Sequence, residues 1–136
     1  MYLDKLSKEQ FCQLENYLSK KVFDNEKIRI DKTLFDTFEI CIGSRRLFDV
    51  NDFEIEPTYL NVIKAYHTKM ASFFGEKYVI DAKKYYTEQE HELTKSLHIQ
   101  LRKNDIDPEY VQKINERLTL NGKIRANLHN LLEKTL

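Results

Sequence analysis

Apolar and polar positions along residues 57–74 recur with the period of a helix that is wet on its back alone. At about 100° per residue, Tyr59, Leu60, Val62, Ile63, Tyr66, His67, Met70, Phe73 and Phe74 fall in one arc roughly 160° wide. Asn61, Lys64, Ala65, Thr68, Lys69 and Ser72 take the remainder, so the segment is expected to lie across a core. Pro57 suits a first helical turn, and Gly75 suits a left-handed C-cap.

Before it, residues 7–23 read as an amphipathic helix. Ser7 and Gln10 have the spacing of a capping box, each able to satisfy the other's backbone N–H, with Leu6 and Phe11 as the matching staple. Phe11, Leu14, Leu18 and Val22 share one face. Residues 27–56 carry two patterns. Phe38, Ile40 and Ile42 alternate with Glu39 and Cys41, Gly43-Ser44-Arg45 has turn chemistry, and 47–50 and 53–55 are rich in β-favouring types. Leu34, Phe35, Phe38, Cys41 and Ile42 also recur at helical spacing, with Asp31 and Gly43 as caps. The β-branched Thr33, Thr37, Ile40 and Ile42 favour two or three short antiparallel strands, because such side chains lose rotamer freedom in a helix.

Residues 76–86 fit either a short strand at Tyr78-Val79-Ile80 or a helix running on through Ala82, Tyr85 and Tyr86. Thr87 and Glu90 suggest a second capping box, followed by a thin Leu93, Leu97 and Leu101 stripe on a charged helix. Asp107 as N-cap before Pro108 and Glu109 opens a further helix, which buries Tyr110, Val111, Ile114 and Leu118 and ends at Asn121-Gly122. A last helix from Lys123 buries Ile124, Leu128, Leu131 and Leu132, and the two are expected to form a helical hairpin. The fold class is thus predominantly helical α+β: about five helices around a central buried one, with a small antiparallel β element between the first and central helices. The alternative is an all-α bundle. Residues 1–136 contain no linker long enough to divide them and are expected to form one globular domain.

Composition narrows the chemistry. Hydrophobic residues at 41% and charged residues at 32% suit a soluble chain, and no apolar run approaches a membrane span, so no membrane association and a cytoplasmic location are expected. Twenty-two basic residues balance 22 acidic ones, so any attraction to nucleic acid must come from a local patch. Cys12 and Cys41 lack zinc-ligand spacing and are expected to be buried free thiols. No cofactor or metal is indicated: the glycines are isolated, and Glu88 and His91 make a single ExxH element where a carboxylate-bridged site needs more.

Three functional readings follow. The C-terminal pair, 108–135, has the outline of a helix-turn-helix, with Lys113, Arg117, Lys123, Arg125, Asn127 and Asn130 as candidate nucleic-acid contacts, since Arg and Lys reach phosphate and guanine and Asn pairs with adenine. Arg125 and His129 resemble the arginine and histidine pair of the small helical HEPN ribonucleases, although the interval between them is shorter than in that family. The resemblance implies a helical ribonuclease-like protein as a second alternative. The leading expectation is a small, soluble, non-catalytic protein-binding factor, an adaptor, inhibitor, chaperone or immunity-type protein. Its candidate interface is Lys83, Lys84, Tyr85 and Tyr86 with Leu93, Leu97 and Leu101, because exposed tyrosines with basic neighbours bring contact area at low entropy cost. The leucine stripe is also compatible with a homodimer.

Overall fold

The structure, a computed structural model, describes residues 2–22, 27–32, 38–42, 45–49 and 60–135. A 3-10 helix at Tyr2–Lys5 is followed by α1 (Lys8–Val22), β1 (Ile28–Lys32), β2 (Phe38–Ile42), β3 (Arg45–Asp49), α2 (Leu60–Phe74), α3 (Glu76–Leu101) and α4 (Pro108–Thr135). The fold is helical α+β, as the patterning predicts. The described residues contain four α-helices rather than five. Contacts group the chain into two compact units, Met1–Phe74 and Gly75–Leu136.

In the first unit the predicted capping box forms as written: Ser7 N–H donates to Gln10 Oε1 at 3.0 Å, and Gln10 N–H donates to Ser7 Oγ at 3.1 Å. Orphan amides at the start of α1 are thereby satisfied. Leu14 and Leu18 are fully buried, and Phe11 stacks on Phe38 of β2 with ring centroids 6.1 Å apart. The strands form one antiparallel sheet in the order β1–β2–β3, with Ile30 opposite Ile40 and Lys32 opposite Phe38. Period-two burial explains the choice of strand over helix: Phe38 and Ile40 are buried on the face toward α1. The expected Gly43-Ser44 turn and the 50–56 segment lie outside the described residues, as do Pro57 and Tyr59.

The α2 helix is the buried rod its pattern predicts. Val62, Ile63, Tyr66, His67, Met70 and Ala71 are all buried, while Leu60, Phe73 and Phe74 are half-buried. Lys69 lies over the rings of Tyr17 and Phe73 at 5.4 and 5.3 Å, and Tyr2 meets Phe74 edge-on. Gly75 follows with φ 76° and ψ −156°. Its φ is positive as expected, but its ψ belongs to an extended region open almost solely to glycine, so the left-handed C-cap is corrected to the N-cap of α3.

In the second unit, α3 resolves residues 76–86 as helix. Thr87 is not an N-cap. It lies inside α3, where its hydroxyl donates to the Lys83 carbonyl at 2.9 Å. The helix runs through because Tyr86, beside it, is buried and its carbonyl is engaged by α4. Asp107 does cap α4, accepting from Glu109 N–H at 3.1 Å, with Pro108 at the first helical position.

The predicted hairpin between 108–121 and 123–135 does not exist: Asn121 and Gly122 lie within one continuous helix. Glycine inside a helix costs about 1 kcal/mol relative to alanine, which burial of Leu120, Asn121, Ile124 and Leu128 around it outweighs. The hairpin is instead α3 against α4, and merging the last two helices accounts for the revised count. Val111, Ile114, Leu118, Asn121, Arg125, Leu128 and Leu132 repeat at heptad spacing along α4, and Val79, Lys83, Tyr86, Glu90, Leu93, Leu97 and Gln100 do so along α3. Polar residues interrupt each seam, Asn121 and Arg125 in α4 and Lys83, Glu90 and Gln100 in α3. That dilution hid the continuity, because the apolar members alone look like short separate stripes.

Candidate functional site

Polar groups of the α3–α4 seam pair with one another. Asn121, 3% exposed, donates from Nδ2 to the Tyr86 carbonyl at 2.9 Å and accepts from Arg125 Nε at 2.7 Å. The Arg125 guanidinium also pairs with the Glu90 carboxylate. Further along, Lys83 Nζ lies 3.2 Å from His129 Nδ1, and His129 Nε2 lies 3.0 Å from Glu133 Oε1. Because an ammonium only donates, Nδ1 accepts and the ring proton sits on Nε2, facing the carboxylate.

This arrangement bears on the two residues of the ribonuclease resemblance. Arg125 clamps two helices through Glu90 and Asn121, and both ring nitrogens of His129 are engaged. The six candidate nucleic-acid contacts do not share a face. Lys113, Lys123 and Asn130 are exposed, Arg117 and Asn127 are half-buried, and Arg125 turns toward α3. At about 100° per residue Arg125 stands roughly 160° around the helix from Lys123. Nδ2 of Asn127 is buried with no hydrogen-bond partner among the described residues, so it is not turned outward toward a base.

The interface candidates also divide. Lys84 is exposed and Tyr85 is at the edge of exposure, its ring 5.4 Å from Tyr86 in an edge-on contact. Tyr86 itself is buried, and burial pushes its hydroxyl pKa upward, which corrects its placement on the surface. Leu93 and Leu97 are half-buried in the seam, as is Lys83 beside His129. Leu101 is 50% exposed.

Leu101 has neighbours that the sequence pattern missed. Ile99 is 53% exposed, Ile106 43% and Tyr110 44%. All four stand within residues 99–110, where α3 ends, a six-residue connection (102–107) turns back and α4 begins. The burial expected for Tyr110 is corrected. It precedes the first seam residue, Val111, and so lies beyond the paired length of the helices. Arg102, Lys103, Asp105 and Glu109 surround the group with both signs of charge. Ile106, alone among polar residues between two helix signals, was the available clue.

Elsewhere, a groove of about 510 Å³ between α1 and β1 is lined by Cys12, Glu15, Asn16, Ser19, Lys27, Ile28 and Arg29. Cys12 is exposed, which corrects one of the two buried thiols; Cys41 is buried, and burial raises its pKa. His67 is buried and neutral, its pKa lowered to about 3 by desolvation. Among the described residues no group of three or more His, Cys, Asp or Glu side chains could hold a metal ion, and no helix is long and apolar enough to cross a membrane. Compared with protein-family models, with curated proteins and with solved structures, the chain matches none.

Proposed function

We propose that the chain is a non-catalytic protein-binding factor, of the adaptor, inhibitor, chaperone or immunity type, which engages another protein through the closed end of the α3–α4 hairpin. One observation carries this reading. Of the six large apolar side chains exposed among the described residues, four (Ile99, Leu101, Ile106 and Tyr110) belong to that end. These four share one end of the hairpin, with charged residues between them, and exposed apolar side chains gathered at one end of a stem suit an interaction site better than apolar residues scattered singly over a surface, which are ordinary. The stem beneath is held by Asn121, Arg125 and Glu90, which fix the pairing of the two helices that carry this end.

Affinity capture from the native host, with the wild type beside an Ile99→Asp/Ile106→Asp variant of unchanged circular dichroism, tests the reading. A stoichiometric protein held by the wild type and weakened by at least about tenfold in the variant supports it, as expected when buried anchor side chains are replaced by charge. Equal capture by both chains overturns it. Salt-sensitive retention on DNA that depends on Lys123 would favour the nucleic-acid reading instead.

A further inference from the structure

The closed end of the α3–α4 hairpin is split by charge. Arg102 and Lys103 stand where α3 stops, and Asp105, Asp107 and Glu109 stand where α4 starts. Every residue from Leu101 to Tyr110 is exposed, with Leu101 at 50%, Ile106 at 43% and Tyr110 at 44%. This order of charge suits each helix alone, since cations are favoured at a helix's C-terminal end and anions at its N-terminal end. It also makes the end complementary to itself. Side chains lean toward the N-terminus of their helix, so Tyr110, in the first turn of α4, leans toward the closed end that Ile106 of the connection also occupies.

We propose that this closed end pairs, tip to tip, with the same end of a second copy of the chain, about a two-fold axis that stands across the hairpin. The occupant follows from the charges. An axis perpendicular to the plane of the two helices sets α3 of one copy opposite α4 of the other, so that Arg102 and Lys103 meet Asp105 and Glu109 twice over. The C-terminal end of one helix then also faces the N-terminal end of the other, where the helix dipoles attract. An axis lying in that plane sets α3 against α3 and α4 against α4, cation on cation and anion on anion. Only the first pairing is free of like-charge opposition. It brings Ile106 and Tyr110 of both copies to the centre of the contact, with the charges as its rim. The ten residues 101–110 are fewer than the roughly 20–30 a side of a standard interface, so the dimer is weak, with a dissociation constant expected between about 10 µM and 1 mM. The pairing rests on the reading of this end as a binding surface and adds a second copy as its occupant.

Sedimentation velocity on the full chain, at concentrations up to about 1 mM, tests it. The wild type is expected to pass from monomer to dimer over that range, and to do so at higher concentration when salt is raised. Arg102→Glu/Lys103→Glu and Asp105→Lys/Glu109→Lys, with the Asp107 cap left in place, are each expected to weaken association at least about tenfold, and their equimolar mixture to restore it. The mixture is expected to come apart when both members also carry Ile106→Ser, which separates seating at this end from general attraction between oppositely charged chains. A wild type that is monomeric throughout, charge variants that dimerise as the wild type does, or a mixture that stays monomeric or ignores Ile106→Ser would each overturn the pairing. A monomeric wild type that still captures a host protein through Ile99 and Ile106 overturns the pairing and keeps the binding surface. Dimers that form while capture fails keep the pairing and overturn the adaptor role.

Discussion

Asn121 of α4 donates to the backbone carbonyl of Tyr86 on α3 at 2.9 Å, a contact between residues 35 positions apart. Its other amide atom accepts from Arg125, whose guanidinium pairs with Glu90. A polar layer in an otherwise apolar helical seam sets the register of the two helices and weakens their association relative to an apolar one. These contacts also explain how α4 passes through Asn121-Gly122 without a break. Removing Asn121 tests that account. Asn121→Ala is expected to destabilise the chain by about 1–3 kcal/mol through its lost hydrogen bonds, and Asn121→Leu to recover much of that loss by extending the apolar seam. Urea midpoints at unchanged m-value provide the measurement.

His67 makes stability depend on pH. Its folded pKa is about 3 against an ordinary value of 6.5, so between those limits the unfolded chain binds a proton that the folded chain refuses. Stability is therefore at its full value above about pH 6.5 and falls with acidification toward pH 3, at up to about 1.4 kcal/mol per pH unit. Subtracting the stability curve of His67→Phe from that of the wild type should give a difference that is flat at neutral pH and slopes only on the acid side. Parallel curves throughout would show that the ring titrates normally in the folded chain.

Gly75 holds a backbone conformation that other residues resist. No atom stands within 4 Å of a Cβ built there, so the constraint at φ 76° is conformational rather than steric. Gly75→Ala should cost about 1–3 kcal/mol in thermal or urea unfolding. A neutral substitution would mean that the α2–α3 junction relaxes to another conformation.

The helix caps separate two expectations of similar appearance in the sequence. Ser7→Ala and Asp107→Ala each remove a side chain that accepts from orphan amides, and each should cost about 1 kcal/mol. Thr87→Ala removes an exposed threonine from a helix interior and should change stability by less than about 0.5 kcal/mol, alanine being the better helix former. Equal losses at Thr87 and Ser7 would restore the cap that the structure denies.

Local signals were legible where one short segment settles them. The Ser7/Gln10 box, the Asp107 cap, the breadth of the apolar arc in α2 and the alternation through Phe38-Glu39-Ile40 all survive folding, because backbone amides and faces are satisfied within a turn or a strand. What misled was chemistry that has two outcomes. Thr87 and Asn121-Gly122 carry the residue types of helix ends, yet both positions are helical, since Tyr86 and Asn121 meet across the seam and outweigh modest local preferences. Of the candidate interface, Leu101 lies at the hairpin's exposed end and Tyr86 is inside, and that Ile99, Ile106 and Tyr110 are also left exposed at this end follows only from the pairing of α3 with α4.

By itself, then, the order of residues determined the helical α+β class, the antiparallel strands before the buried helix α2, and the caps at Ser7 and Asp107, all of which depend on interactions a few residues long. Tertiary structure decided which helices pair, that α4 is continuous, and which apolar side chains are left in water. Those outcomes depend on contacts such as Asn121 with Tyr86 and Arg125 with Glu90, whose free energy appears only when distant segments meet.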